Sequence, residues 1–166
     1  MKPANRREDR VDRRRKVYQT GKRQVVIVAR ELDGETLTHV DKTEAEGVPF
    51  VLATVAAGSI VHADEASHWD ALEAKFLTRR VNHSVEYSTP EACTNMAESF
   101  FSRLRRAEIG THHHIAGPYL AAYATEMAWR EDNRRISNGE QFLMATGAAL
   151  AHPVSRQWKG YWQRAA

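Results

Sequence analysis

The order of segments in this 166-residue chain predicts an α/β domain built on a mixed sheet flanked by helices. Two observations near the front carry the prediction. A β-branched run, Gln24-Val-Val-Ile-Val-Ala-Arg30, meets a turn signal at Asp33-Gly34, and the alternating stretch from Glu35 to Val40 then completes a hairpin. Two more strand-length segments, 59–63 and 77–84, follow with a helical segment between them. The third observation is that every periodic segment after Thr94 has helical spacing.

Taken in order, 43–57 has the helical apolar spacing Val48, Val51, Leu52, Val55 and stops at Gly58. Pro49 removes a backbone donor, so this helix is expected to begin close to it, where the missing N–H costs nothing. Ser59-Ile-Val-His-Ala63 reads as a short, buried-looking strand that ends in Asp64-Glu65. A helix is expected over 66–76 and a strand over 77–84. Helices are then expected over 94–107, 118–131 and 137–150. Pro118 sits in the first turn of the second of these, ahead of a stripe of Leu120, Tyr123, Ala124 and Met127. The third opens with a capping box, Ser137 and Glu140.

Composition removes several classes. Apolar residues make up 42%, ordinary for a globular domain, and no apolar run reaches the roughly 18–20 residues of a membrane span. The charged start, MKPANRREDR, has no apolar stretch behind it and is not a secretory signal. Cys93 is the single cysteine, which excludes an internal disulfide framework and fits a reducing cytoplasm. Charge is uneven. Residues 2–23 hold ten Lys/Arg against three Asp/Glu, a surplus of seven, and the net charge of +3 leaves the remainder at −4. Such a block suits contact with a polyanion, and a solvated arm would have the same composition. At the other end, Trp158, Tyr161 and Trp162 alternate with Arg156, Lys159 and Arg164. That suits stacking on bases, and equally a closing segment packed on the domain. The chain divides accordingly into a basic arm (1–23), a domain (24–152) and an aromatic, basic tail (153–166).

Open α/β sheets place their sites at the carboxyl ends of strands, and Asp64 occupies such an end. Projecting 94–107 at 100° per residue separates an apolar face (Met96, Ala97, Phe100, Phe101, Leu104, Ala107) from a polar one (Asn95, Glu98, Ser99, Ser102, Arg105, Arg106). Asn95, Glu98, Ser102 and Arg105 stack in one line. An acid, an amide and an arginine in a row can complete a metal site and grip a phosphate. They can also be a plain solvated face.

The stretch CTNMAESFFSRLRRAEIGTHHHIAGPYLAAYATEMAWREDNRR resembles the signature block of the ISXO2-like insertion-sequence transposases: a TN-x-x-ES-F helix, a basic turn, Gly-x-x-His-His, and a helix ending in aromatic-Arg-x-x-x-Arg. The flanking HADEASHWDAL and RVNHSVEY match as well, and the likeness spans about 20–164. The resemblance implies a ribonuclease-H-like fold of the DDE type. It also implies two Mg²⁺ (or Mn²⁺) ions held by carboxylates, and cleavage and transfer of DNA strands at transposon ends. Asp64 then corresponds to the second catalytic aspartate, and Asn95 or Glu98 to the third position, with Asp64 and Glu98 as metal ligands. Arg105 corresponds to the residue that holds the DNA backbone; Arg106, His113, Arg130 and Arg134 lie along the same DNA path. Double-stranded DNA (inverted-repeat ends and target) and further copies of the chain are the partners implied.

One departure bears on activity. The family's first aspartate lies on an opening strand, in a Val-Asp-Glu-like motif soon followed by Gly-Gly, and this chain opens with the basic segment that would come after it. Asp9 and Asp12 stand among arginines, Asp33 is in a turn, and Asp41 ends the hairpin, so none replaces it. The expectation is a fragment without its first catalytic carboxylate, inactive alone, whose sheet lacks its central strand. The alternative is a non-catalytic DNA-binding module that works through the basic arm and the Trp/Arg tail.

Overall fold

The computed structural model describes residues 23–32, 34–81 and 94–153. The hairpin forms as expected. β1 (Val25–Arg30) runs antiparallel to β2 (Thr36–Asp41), with Val25 opposite Asp41 and Arg30 opposite Thr36. Glu31 N–H donates to the Glu35 carbonyl at 3.0 Å and closes the connection. β3 (Ile60–Asp64) pairs in parallel with β4 (Leu77–Val81), Ile60 opposite Leu77 and Asp64 opposite Val81. The expected single mixed sheet is therefore corrected: the described strands form two two-stranded sheets, one antiparallel and one parallel.

Each sheet gathers its own core. Around the parallel pair, α1 (Val48–Thr54) and the 3₁₀ helix Ser67–Ala74 bury Val51, Leu72 and Phe76, with Val61 and Trp69 packed against them. α1 holds Pro49 in its first turn and stops at Thr54, before the expected Ala57; the left-handed Gly58 (φ 85°) belongs to the turn into β3. The segment expected as an ordinary helix over 66–76 is 3₁₀, where residues three apart eclipse, and Trp69 and Leu72 are three apart.

Around the hairpin, α2 (Asn95–Ala107) and α3 (Leu120–Asp132) bury Phe100, Leu104 and Ala128. Val26 and Val28 pack on that cluster, while Ile27, on the other face of β1, is also buried. Gly47 lies so close to it that a Cβ there would come within 2.7 Å of Ile27 Cγ1. With both faces of β1 covered, its unbroken β-branched run has a physical reason. A ring stack joins the halves, His39 of β2 on Phe50 of α1, with centroids 5.0 Å apart.

A π-helical turn, Glu108–His112, ends α2, and a 3₁₀ turn, Gly117–Tyr119, leads into α3. α4 (Asn138–Ala151) follows with its capping box formed. Among the described residues no helix is long and apolar enough to cross a membrane. The basic arm to residue 22, the strand residues expected over 82–84, Cys93 and the aromatic tail from 154 lie outside the described residues.

Candidate functional site

Asp64 closes β3 half-buried, and its Oδ1 accepts the Ala66 N–H at 3.1 Å. Arg80, from the neighbouring strand, clasps the same turn. Its Nε donates to the Asp64 carbonyl (2.6 Å), Nη2 to the Ala66 carbonyl (2.6 Å) and Nη1 to the Asp70 carboxylate (2.8 Å). One guanidinium thus fixes the backbone that presents the Asp64 carboxylate. Sequence reasoning missed Arg80. Its one sequence signal is register: a parallel partner strand sets it beside Ala63, next to the strand-end acid.

α2 carries the other expected residues. Asn95, Glu98, Ser99 and Ser102 line one open groove on its outer face, as the projection requires. The Thr94 hydroxyl donates to the Glu98 carboxylate at 3.2 Å, in the helix's first turn. Arg105 continues down the helix, its guanidinium 5.9 Å from the Phe101 ring centroid. Arg106 Nε reaches the Ser102 carbonyl at 3.4 Å. Behind this face Phe100 is fully buried, so the polar groove stands on a rigid apolar base.

The orientation of α2 depends on residues that the sequence did not single out. Glu131 of α3, 5% exposed, accepts from Arg30 of β1 at 3.0 Å and from Arg103 of α2 at 2.5 Å. Arg30 Nη1 also reaches the Met96 carbonyl in the first turn of α2, at 3.4 Å. The Thr36 N–H of β2 donates to Asp132 at 3.1 Å. Hairpin, α2 and α3 are therefore joined around one carboxylate. A buried carboxylate shared by two guanidinium groups is directional as well as charged, so it sets an angle where apolar packing alone would not.

The remaining expected DNA contacts are dispersed. Arg130 places two nitrogens on Glu126 Oε1, at 2.9 and 2.8 Å. Arg130 also helps line a cavity of about 180 Å³ between α2 and α3, with Thr111, His112, Tyr123 and Glu126. His112, not His113, faces that cavity, its ring 4.4 Å from that of Tyr123. His113 is exposed and left-handed (φ 59°), ending the π-helical turn. Arg134 is exposed in the turn after α3.

Mg²⁺ and Mn²⁺ need several oxygen ligands in near-octahedral array. Among the described residues no three His, Cys, Asp or Glu side chains converge to hold a metal ion, so Asp64 and Glu98 do not complete such a site between them.

The described residues thus combine an α/β fold, an aspartate at a strand end and a helix bearing an amide, a carboxylate and hydroxyls on one face. A model of the ISXO2-like transposase domain matches residues 1–132, and the chain belongs to that family. The match takes in the basic arm, both sheets and α1–α3, and leaves α4 outside. No curated protein and no solved structure matches the chain.

Proposed function

We propose that the chain serves DNA transposition as the ribonuclease-H-like domain of an insertion-sequence transposase, acting on the ends of its element. The observation that carries this is the outer face of α2, where Asn95, Glu98, Ser99 and Ser102 line one groove and Arg105 and Arg106 follow in the last turn of the same helix. Carboxylate and amide oxygens at one end and guanidinium groups at the other suit a phosphodiester whose charge must be neutralised. The sheet arrangement supports the same reading. An antiparallel hairpin and a parallel strand pair, the two kinds of pairing that a ribonuclease-H sheet combines, are both present among the described residues.

In this reading Asp64 and Glu98 are two ligands of the divalent ions, Asn95 competes with Glu98 for the third catalytic position, and a further carboxylate comes from beyond the described residues. Cutting is expected only from a chain that supplies it. Arg105, Arg106, His113, Arg130 and Arg134 follow the DNA. Arg80 holds the Asp64 turn, and Glu131 holds the angle of α2.

The test uses protein made from its full reading frame, with a labelled duplex carrying the element's terminal inverted repeat and Mn²⁺. Asp64→Ala is expected to abolish nicking and spare binding, and nicking that persists at the parent rate would sink the assignment. The second reading, DNA binding without chemistry, is favoured by the surplus of seven positive charges over 2–23. It predicts affinity that falls steeply with salt whether or not metal is present, and that drops when residues 2–23 lose their cations.

A further inference from the structure

The cavity of about 180 Å³ between α2 and α3 has no part in the groove on the outer face of α2. Two departures from regular helix shape it. α2 runs on into the π-helical turn Glu108–His112, and such turns recur at functional sites. Here the turn brings the His112 ring to 4.4 Å from that of Tyr123, tilted by 56°. The chain then reverses sharply: the His114 N–H donates to the His112 carbonyl at 2.6 Å, across left-handed His113 (φ 59°). A three-residue turn of this hand is strained for a residue with a Cβ, and strain of that kind gathers at ligand clamps and active sites.

The lining sorts by chemistry. Leu104, itself buried, and Met127 supply apolar surface, and His112 and Tyr123 supply rings. Glu126 and Arg130 are the exposed polar part, their side chains 45% and 61% accessible. Both bonds between them end on Glu126 Oε1, so Oε2 and Arg130 Nη1 stay outside the pair. An acceptor and a donor therefore stand side by side next to an apolar space with ring walls. That space is smaller than the roughly 300 Å³ at which drug-sized sites begin, and it suits one planar ring system.

We propose that this cavity takes one unpaired nucleobase of bound DNA, its face against Tyr123 and His112 and its edge against Glu126 and Arg130. Stacking on aromatic side chains together with hydrogen bonds to the edge is how proteins hold a single base. Guanine fits the pair well, because its O6 accepts from an arginine while its neighbouring N–H groups donate to a carboxylate. Arg105 and Arg106, both exposed, lie in the chain between the lining residues Leu104 and Ala107. They supply cations for the strand that brings the base. A bare anion is a poor occupant, since the Glu126 carboxylate lines the same space. The inference rests on the reading of DNA as the partner, and on no part of the catalytic assignment.

Fluorescence anisotropy with the full chain tests it, on three labelled duplexes: fully paired, with one bulged deoxyguanosine, and with one bulged nucleotide that lacks its base. The two bulges interrupt the duplex at the same place, so the difference between them belongs to the base. The parent is expected to bind the guanine bulge about tenfold more tightly than the baseless one. Glu126→Ala, at an exposed position, separates the pocket from plain charge. Loss of an acid should tighten binding of every duplex, yet the preference for the base is expected to fall to near parity. His112→Ala is expected to lower the preference as well, without the general tightening. Equal affinity of the parent for the two bulged duplexes overturns the proposal and leaves DNA as the partner, whereas no binding to any of the three overturns both. A preference that survives Glu126→Ala and His112→Ala unchanged puts the base elsewhere and overturns it too. So does free deoxyguanosine that shifts the His112 and Tyr123 ring resonances while the two bulged duplexes bind alike, which would assign the cavity to a small ligand.

Discussion

The half of the domain built on β3 and β4 has an apolar centre, where Val51, Leu72 and Phe76 meet with Trp69 and Val61, and its polar clasp, Arg80, is partly exposed at the edge. In the half built on the hairpin, the apolar cluster of Phe100, Leu104 and Ala128 lies beside a buried ionic one, Arg30–Glu131–Arg103. The first half carries Asp64 and the second carries Asn95 and Glu98. Apolar contact is non-directional and tolerates small rotations; a carboxylate shared by two guanidinium groups does not. The difference teaches where each half keeps its precision. Beside Asp64 a single turn is held, and beside Glu98 a whole helix.

The largest expected effect is at that ionic cluster. Glu131→Gln leaves two guanidinium groups short of their carboxylate in a place where Arg30 has a side chain only 6% exposed. Removing one partner of a buried pair costs about 3–5 kcal/mol. Urea unfolding is expected to show a loss of that size, with the amides of α2 and α3 affected first. A loss below about 1 kcal/mol, the range of surface ion pairs, would remove the contrast between the halves.

Leu72→Ala probes the other half. Leu72 is 1% exposed and truncating it should cost about 2–5 kcal/mol through lost transfer energy and the cavity left behind. If the halves unfold as one unit through Ile27–Gly47 and His39–Phe50, the single transition moves without broadening. Two separated transitions, with only the early one shifted, would show that those joints do not couple the halves.

Arg80→Ala is expected to cost less, about 1–3 kcal/mol, since it leaves the Asp64 and Ala66 carbonyls without their donor but the side chain is already 23% exposed. Its sharper readout is local. Nuclear magnetic resonance shifts of residues 64–66 should change while those of α2 stay put. Shifts that spread to α2 would contradict the independence of the two sites.

How much of this was legible in the sequence follows from the range of the forces. Hairpin, capping box and the two faces of α2 are set within a few residues of chain, by turn chemistry and by the 3.6 period, and the structure has them where those patterns placed them. The groove of Asn95, Glu98, Ser99 and Ser102 was readable for the same reason. The Glu131 cluster was not, because Arg30 and Glu131 are 101 residues apart and a lone Arg at a strand end looks like any solvated cation. The split into two sheets was also beyond local pattern, since strand order is a tertiary choice. The 3₁₀ character of Ser67–Ala74 turned on the packing of Trp69 and Leu72, which periodicity of either kind accommodates.

The smallest effect belongs to α4, which stands apart from both halves, and it separates local helix chemistry from global stability. Glu140 accepts the Ser137 hydroxyl at 2.8 Å and the Ser137 N–H at 3.0 Å. These two bonds, the hydroxyl foremost, hold the Glu140 carboxyl below its ordinary value of 4.5. A carboxyl with a lowered folded pKa stabilises the folded form most fully above the unfolded value, and the contribution is lost as pH falls through the folded one. The start of α4 should therefore be unchanged from neutral pH down to about 5 and should fray only on the acid side of 4.5. Carbon chemical shifts at Asn138–Phe142 through an acid titration check this. Ser137→Ala should show the frayed shifts already at neutral pH, with no further acid step. Because no residue of α4 is buried, that variant should leave the unfolding midpoint of both halves where it was. A midpoint that moved with it would mean that α4 packs on one of them after all.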